Sequence, residues 1–590
     1  MNQIKEGRYS GTIIAQMFKA LLPAQILSVA ASTLSSIING LVIGNNLEES
    51  ALVALGFVAP MASLLGSIAM VVAGGSRILC GRYMGRNEIK KLDYVFSIAI
   101  VLDVLIGVVL SAIAILFSNQ LAGLFGASGE LIADTALYIR GLAIGFIPTL
   151  LIPALMAFLQ MGNESSYAFC STLVLAVLNL VFALLNINVF KGGIFGMGLA
   201  SSFSQYATAI FLLIKFFTNK KLMRFDKSGF SKDMIKDMVL LGSPTALANT
   251  LYSIRNIVFN SIALSAGGST AVAALAVINS VIGLFDAVNV GVGAVALMLS
   301  SVYVGERDRH ALECLEKESL KIGWILAGVK IVIIVAFGKL IIGAFGVVGE
   351  AAAMAFALFL ILAVNMPLNM TTVSIINPFQ SLGRIKYSNI LYIFSAIVFP
   401  LVFAYGTCNF IAEYSVWLAF IVSEALTVLV LIITAAKKCG HFPKAAGDLL
   451  WIEEDFDKGE KLSISLNTID EVTNISERIV GFCRDNGIDE RRSMFCGLCM
   501  EELAGNVVEH GFSESHRGKK MIDLFVMVDE SGKLTMRIRD NSLSFDPTTR
   551  ITTFNPDDPC KNIGIRMVSK IAKEMSYQQT FGMNVLSIEL

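Results

Sequence analysis

Up to about Ala436 the chain is a succession of apolar runs, each long enough to cross a bilayer, and after Trp451 the runs stop. A spanning helix needs about 20 apolar residues, and lipid offers the backbone no hydrogen-bond partners, so each run must be helical. The runs predict spans near 20–43, 51–74, 94–117, 134–158, 166–188, 195–217, 239–264, 271–299, 322–345, 351–376, 387–405 and 413–436. The fold expected is therefore an all-α polytopic membrane protein of about twelve helices, followed by a separate polar domain. Charged residues make up only 16% of the chain, against about 25% in soluble domains, and most of the deficit lies before residue 437.

Loop charges orient the spans. Arg82, Arg86, Lys90 and Lys91, the basic stretch from Lys215 to Lys236, Arg307, Arg309, Arg384, Lys386, Lys437 and Lys438 fall on one side; the other side carries essentially Lys191. By the positive-inside rule both termini and the polar domain face the cytoplasm of a bacterial-type plasma membrane. The first apolar run is too long for a signal peptide and lacks a small-residue cleavage site, so none is expected.

The membrane half repeats itself. Ala54, Leu55, Tyr83 and Gly85 align with Ala274, Leu275, Tyr303 and Gly305 without a gap, and Phe158 and Gly162 answer Phe379 and Gly383 one residue out of register. Two six-helix lobes of the same orientation, 1–225 and 226–440, place a substrate cavity between them.

With "FLQMGN" at 158–163, "PFQSLGR" at 378–384 and basic loops after Gly85 and Gly305, nearly three-quarters of the chain resembles the multidrug and toxic compound extrusion (MATE) family. The resemblance implies an antiporter that expels small organic, often cationic, compounds against a Na+ or H+ gradient. Many members carry an Asp late in the first helix; here "INGLVIG" at 38–44 puts Asn39 there. An amide oxygen can ligate sodium but cannot carry a proton. Charges at mid-span are functional candidates by cost alone: Asp103, Arg255, Asp286, Lys330 and Glu424. Of these Arg255, Asp286 and Glu424 join Asn39 as transport candidates; Arg255 and Asp286 are expected to pair, and Lys330 to snorkel.

A polar linker, 441–459, leads to a domain over 460–590. Alternation predicts strands at 461–466, 519–528, 533–539, 576–580 and 584–590, with helices over 469–486, 490–511 and 563–574, an α+β sandwich with helices on one sheet face. In "EELAGNVVEHGF" at 501–512, Glu502 and Asn506 share a helix face; a carboxylate can act as base and an amide oxygen can ligate magnesium. "RDNSLSFDP" follows a strand at 539–547, and in "KNIGIRMVSKIA" at 561–572 Gly564 opens a helix whose N–H groups suit phosphate.

The order of these strings resembles the GHKL ATPase superfamily, in its anti-sigma-factor serine kinase branch. The resemblance implies Glu502 as catalytic base, Asn506 as ligand of Mg2+, Asp540 at the adenine of ATP, Gly564 beside the phosphates, a lid over 548–561, and a soluble partner of the STAS, anti-sigma-antagonist type. Ser542 and Asn562 stand where that family favours Gly. His510 reads as a helix-end residue, and no histidine precedes the Glu502 helix in the domain to accept phosphate.

Net charge is zero, so no global field favours nucleic acid. The nine cysteines show no disulfide framework, and Cys496 and Cys499 form a lone CxxC, short of four zinc ligands. No GxxxxGK[ST] loop occurs. The leading reading is a gradient-driven exporter with an ATP-binding regulatory domain. Its rivals are a membrane receptor controlling a serine/threonine kinase, and a nucleotide-gated protein-binding module.

Overall fold

The computed structural model describes residues 3–46, 49–219, 222–344, 349–453, 456, 459–466, 474–512, 520–529, 532–550 and 563–590. They fall into two compact units. One comprises Leu21–Gly305 and Glu316–Trp451; the other comprises Met1–Ala20, Glu306–Leu315 and Ile452–Leu590.

The membrane-spanning part is helical throughout, although Met1–Ala20 and Glu306–Leu315, the ends of three of its helices, belong to the second unit. Its first lobe holds α1 (Gln3–Asn46), α2 (Glu49–Gly85), α3 (Ile89–Leu116), α4 (Ser118–Leu124), α5 (Leu131–Ala143), α6 (Phe146–Met161), α7 (Ser165–Leu185) and α8 (Gly193–Thr218). The second holds α9 (Lys232–Glu306), α10 (Arg309–Ala344), α11 (Gly349–Ser381), α12 (Ile385–Ile393), α13 (Phe399–Ile411) and α14 (Tyr414–Cys439). Among the described residues ten helices are long and apolar enough to span, and α5 with α6 makes one more span bent by 47°. The chain is a multi-pass membrane protein. The stretch 239–264 is helical but interrupted by Asn249, Arg255, Asn256 and Asn260, which keep it off that count. Within α9 the helix breaks at Gly268, whose φ of 67° only glycine adopts cheaply.

Backbone geometry repeats with the sequence. Left-handed residues follow α2 at Asn87 and α9 at Arg307, and follow α6 at Asn163 and α11 at Gly383. Both pairs carry the offset that aligns Tyr83 with Tyr303, so the two lobes share their turns as well as their apolar pattern.

After α14 the chain returns to α11. Arg384 donates to the carbonyls of Leu450 and, at 2.9 Å, Trp451. The Trp451 ring packs on Phe379 and Tyr387, with centroids 4.5 and 5.0 Å away. The arginine of "PFQSLGR" thus clamps the start of the polar region.

The second unit carries a five-stranded antiparallel sheet of β1 (Glu460–Leu466), β2 (Ile522–Val528), β3 (Leu534–Asp540), β4 (Glu574–Thr580) and β5 (Met583–Glu589), in the order β1-β2-β3-β5-β4. Alternation sends Ile464, Leu524, Ile538 and Leu586 into a core with α15 (Ile475–Asp485), α16 (Glu490–His510) and α17 (Ile563–Ile571). The register aligns Ser465, Asp523 and Arg539, and next to them Ser463, Phe525 and Arg537, which occupy the alternate positions of their strands.

Candidate functional site

In the membrane unit the two lobes meet closely at the end where α2 and α9 finish. A Cβ on Gly81 would lie 1.7 Å from Ser301 Oγ, so only glycine permits this approach of α2 to α9. Beside it Arg82 Nη2 donates to the Ser381 carbonyl at 2.6 Å, tying α2 to α11. Thr245 and Gln380 exchange hydrogen bonds nearby. The same end carries Arg86, Lys90, Arg307 and Arg384, the basic side of the loop pattern.

Deep in the second lobe four helices contribute one polar network. The Asn289 amide of α9 donates to Asn369 of α11 at 2.7 Å and to Asp286 at 3.2 Å. Its oxygen accepts from Lys330 Nζ of α10 at 2.6 Å. Asn369 in turn donates to Glu424 of α14 at 2.9 Å. Lys330 and Glu424 are each 4% exposed, whereas Asp286 keeps exposed surface. Asn289 uses both amide hydrogens and its oxygen and so ties α9, α10 and α11 through one side chain, with α14 reached through Asn369.

Two sequence expectations change. Lys330 does not snorkel, because Asn289 meets its ammonium inside the lobe. Arg255 does not pair with Asp286; its guanidinium lies 4.9 Å from the rings of both Tyr252 and Phe420, a stacking favoured by its flat, weakly hydrated faces. In the first lobe Asp103 of α3 is 1% exposed, and neither carboxyl oxygen has a hydrogen-bond partner. Asn39 belongs to α1, with its side chain outside the described residues.

In the second unit Glu502 and Asn506 lie one turn apart on α16. Asn506 Nδ2 donates to Glu502 Oε1 at 2.8 Å and to the Glu502 carbonyl at 2.7 Å. At the end of β3 the Asp540 carboxylate accepts from the Ser542 N–H at 2.9 Å and from Asn584 Nδ2 at 2.8 Å. Burial pushes the Asp540 carboxyl above the usual range, and these donors hold it back. Asn584 is fixed by Tyr577, whose hydroxyl donates to its oxygen at 2.8 Å.

The two groups are joined at Gly511. A Cβ there would meet the Ser542 Cβ at 2.8 Å, and the Leu543 N–H donates to the Gly511 carbonyl at 2.8 Å. The C-terminal end of α16, one turn beyond Asn506, therefore packs against the segment that follows Asp540. Gly564 is the second residue of α17, whose Val568 packs in the same core as Leu503 and Ala504. The lid expected over 548–561 and the departure at Asn562 fall, from 551 on, outside the described residues. His510 is exposed at the end of α16, an ordinary helix-end residue.

Sequence reasoning missed Asn369, Asn584 and Tyr577. Among the described residues no group of three or more His, Cys, Asp or Glu is arranged to hold a metal ion.

Comparison with known proteins places both units. The MatE family model matches residues 24–185 and again 244–406, together more than half of the chain, and a histidine kinase-like ATPase domain matches 466–590. The "Probable multidrug resistance protein YoeA" of Bacillus subtilis (strain 168) is 24% identical over 417 residues, covering 69% of this chain and 90% of its own. The "Multidrug export protein MepA" of Staphylococcus aureus (strain MRSA252) is 25% identical over 251 residues, 41% of this chain and 55% of its own. A solved structure presented as the "Outward-facing conformation of a multidrug resistance MATE family transporter of the MOP superfamily" superposes with a TM-score of 0.68 at 21% identity, covering 72% of this chain and 97% of its own. A MOP superfamily transporter from Pyrococcus furiosus gives 0.66 at 21% identity, over 71% and 94%. With two MatE repeats in its membrane unit and a histidine kinase-like ATPase domain behind them, the chain belongs to the MatE family of membrane transporters.

Proposed function

We propose that the protein is a proton-driven antiporter that exports small organic compounds, cations among them, and that its C-terminal domain binds Mg-ATP as a regulator. The observation that carries the proton assignment is Asp103. An ionised carboxylate buried at 1% exposure with no donor is too costly to persist, and a proton neutralises it. Asn39 offers no such site. The exposed Asp286, beside the buried Lys330 and Glu424, presents a carboxylate to an organic cation. The multidrug relatives support the substrate class.

The interlobe seal at Gly81 and Arg82 lies on the basic side of the loop pattern. By the positive-inside rule that side is cytoplasmic, so this conformation is closed toward the cytoplasm and the C-terminal domain lies on the same side. Glu502, Asn506, Asp540 and Gly564 have the roles of base, magnesium ligand, adenine partner and phosphate-side glycine. Export energy comes from the gradient, and ATP modulates the rate.

The test is ethidium transport in inverted vesicles under an imposed pH or sodium gradient, with and without Mg-ATP. Wild type is expected to respond to the pH gradient, and Asp103→Asn to lose about tenfold or more of that rate while inserting normally, since the amide matches the neutral acid in shape. Transport that follows sodium alone, or survives in Asp103→Asn, rejects the proton assignment. Transport that follows ATP without any gradient rejects the antiporter reading.

A further inference from the structure

We infer that Glu306 is a coupling residue through which the nucleotide state of the C-terminal domain acts on helix α9; the inference rests on the ATP-regulated reading above. The segment Glu306–Leu315 belongs to the same compact unit as the ATPase domain, although in sequence it joins α9 to α10. Glu306 is the last residue of α9. Its Oε1 accepts from Arg537 Nη1 at 2.9 Å and from Arg539 Nη2 at 2.7 Å, with the glutamate side chain 4% exposed and both arginine side chains 10% exposed.

The turn after Glu306 is held as well. Lys461 of β1 donates to the Arg307 carbonyl, and Asp308 accepts from the Ala311 N–H at 2.9 Å. Lys461 lies on β1 and the two arginines on β3, so the turn bridges strands that flank β2. Asp523 of β2 is level with Arg539 in the register. Glu306, Asp308 and Asp523 balance Lys461, Arg537 and Arg539, three charges against three.

Such a cluster behaves as a unit. A carboxylate shared by two guanidinium groups makes strong charge-assisted bonds, and loss of Glu306 leaves Arg537 and Arg539 buried without compensation. Intermediate positions are penalised, so the contact is either made or broken. Arg539 is followed directly by Asp540, the residue assigned to adenine. Nucleotide arriving at the end of β3 therefore acts on the residue next to the one that holds Glu306. Glu306 ends the helix that bears Asp286 and Asn289, and residues 289 to 306 span about 26 Å of it at 1.5 Å per residue.

The test uses full-length protein in inverted vesicles with an imposed pH gradient, ethidium as substrate and trinitrophenyl-ATP as the binding probe. Mg-ATP is expected to change the wild-type rate by about fivefold. Glu306→Gln should keep its rate without ATP and still bind the probe, yet lose the ATP effect; Glu306→Asp should retain part of it. Because coupling is reciprocal, ethidium should shift the affinity for trinitrophenyl-ATP in wild type and not in Glu306→Gln. Arg537→Gln, on the other side of the pair and two residues further from Asp540, should reproduce the loss and covers the case in which Glu306→Gln does not fold. Variants that bind nucleotide and respond to it as wild type does overturn the inference. A wild type indifferent to ATP overturns the regulatory reading itself, and the inference with it.

Discussion

The side-chain amide of Asn506 donates to the Glu502 carboxylate at 2.8 Å, one helical turn back along α16. The same nitrogen reaches the Glu502 carbonyl at 2.7 Å, so the amide nitrogen is turned toward residue 502 and Oδ1 is directed away from it. Hard oxygen is what magnesium takes. Asn506→Ala should weaken Mg-dependent trinitrophenyl-ATP binding by about tenfold or more. Glu502→Gln should leave binding within a few-fold while removing phosphotransfer or hydrolysis. Magnesium dependence unchanged in Asn506→Ala would remove the ligand role.

Asn584 supplies one of the donors that keep a buried carboxylate at Asp540. Asn584→Ala leaves that acceptor short of a partner, which costs about 1–3 kcal/mol. Denaturant unfolding of the C-terminal domain within the full chain should show that loss, together with weaker ATP binding. A silent substitution would mean that water replaces the amide at no cost.

Lys330 and Asp286 share Asn289, so their deletions should not add. Lys330→Met alone leaves the buried Asn289 oxygen without its donor and Asp286 without its nearby cation, and should cost about 1–3 kcal/mol. The double variant Lys330→Met with Asp286→Asn should cost less than the two singles together. Thermal unfolding in detergent reads this cycle, and strict additivity would separate the two residues.

The Asp523 carboxyl is pushed up to about 6 by burial, with Arg539 and the Ser465 hydroxyl pulling it down. A carboxyl raised above its ordinary value of 3.8 contributes most favourably below about pH 4. That contribution is lost as pH rises through 6, and above it the buried charge is a cost. Asp523→Asn should therefore gain stability over wild type between about pH 4 and 6 and hold the gain above, by up to about 3 kcal/mol. Pulse proteolysis of the full chain at pH 5 and pH 8 would show it; a gain larger at pH 5 would contradict the sign.

The parts of this molecule set by local pattern were legible before any coordinates. Apolar runs marked the spans and alternation marked β1 and β3, whereas Asp103 was one of five mid-span charges and was not among the transport candidates, because only its burial without a donor sets it apart. The gap drawn between the seventh span, 239–264, and the eighth, from 271, holds the Gly268 break, while the four polar residues that interrupt the seventh span were not weighed against it. Long-range partners were not legible. Nothing in the sequence links Asn289 to Asn369, or tells a lysine held by that amide from one that snorkels. Asn584 reads as one polar residue in a closing strand until the register brings it opposite Asp540. Nothing in the sequence singles out Glu306, because its burial depends on strands more than 200 positions away.

The repeated turns have an unequal fate. One residue after Gly85 stands Arg86, and one residue after Gly305 stands Glu306. The left-handed residues Asn87 and Arg307 give the two turns the same local shape, yet only the second presents a carboxylate, which Arg537 and Arg539 hold. Within the repeat, the same turn therefore carries a cation in one copy and, in the other, an anion that two arginines hold.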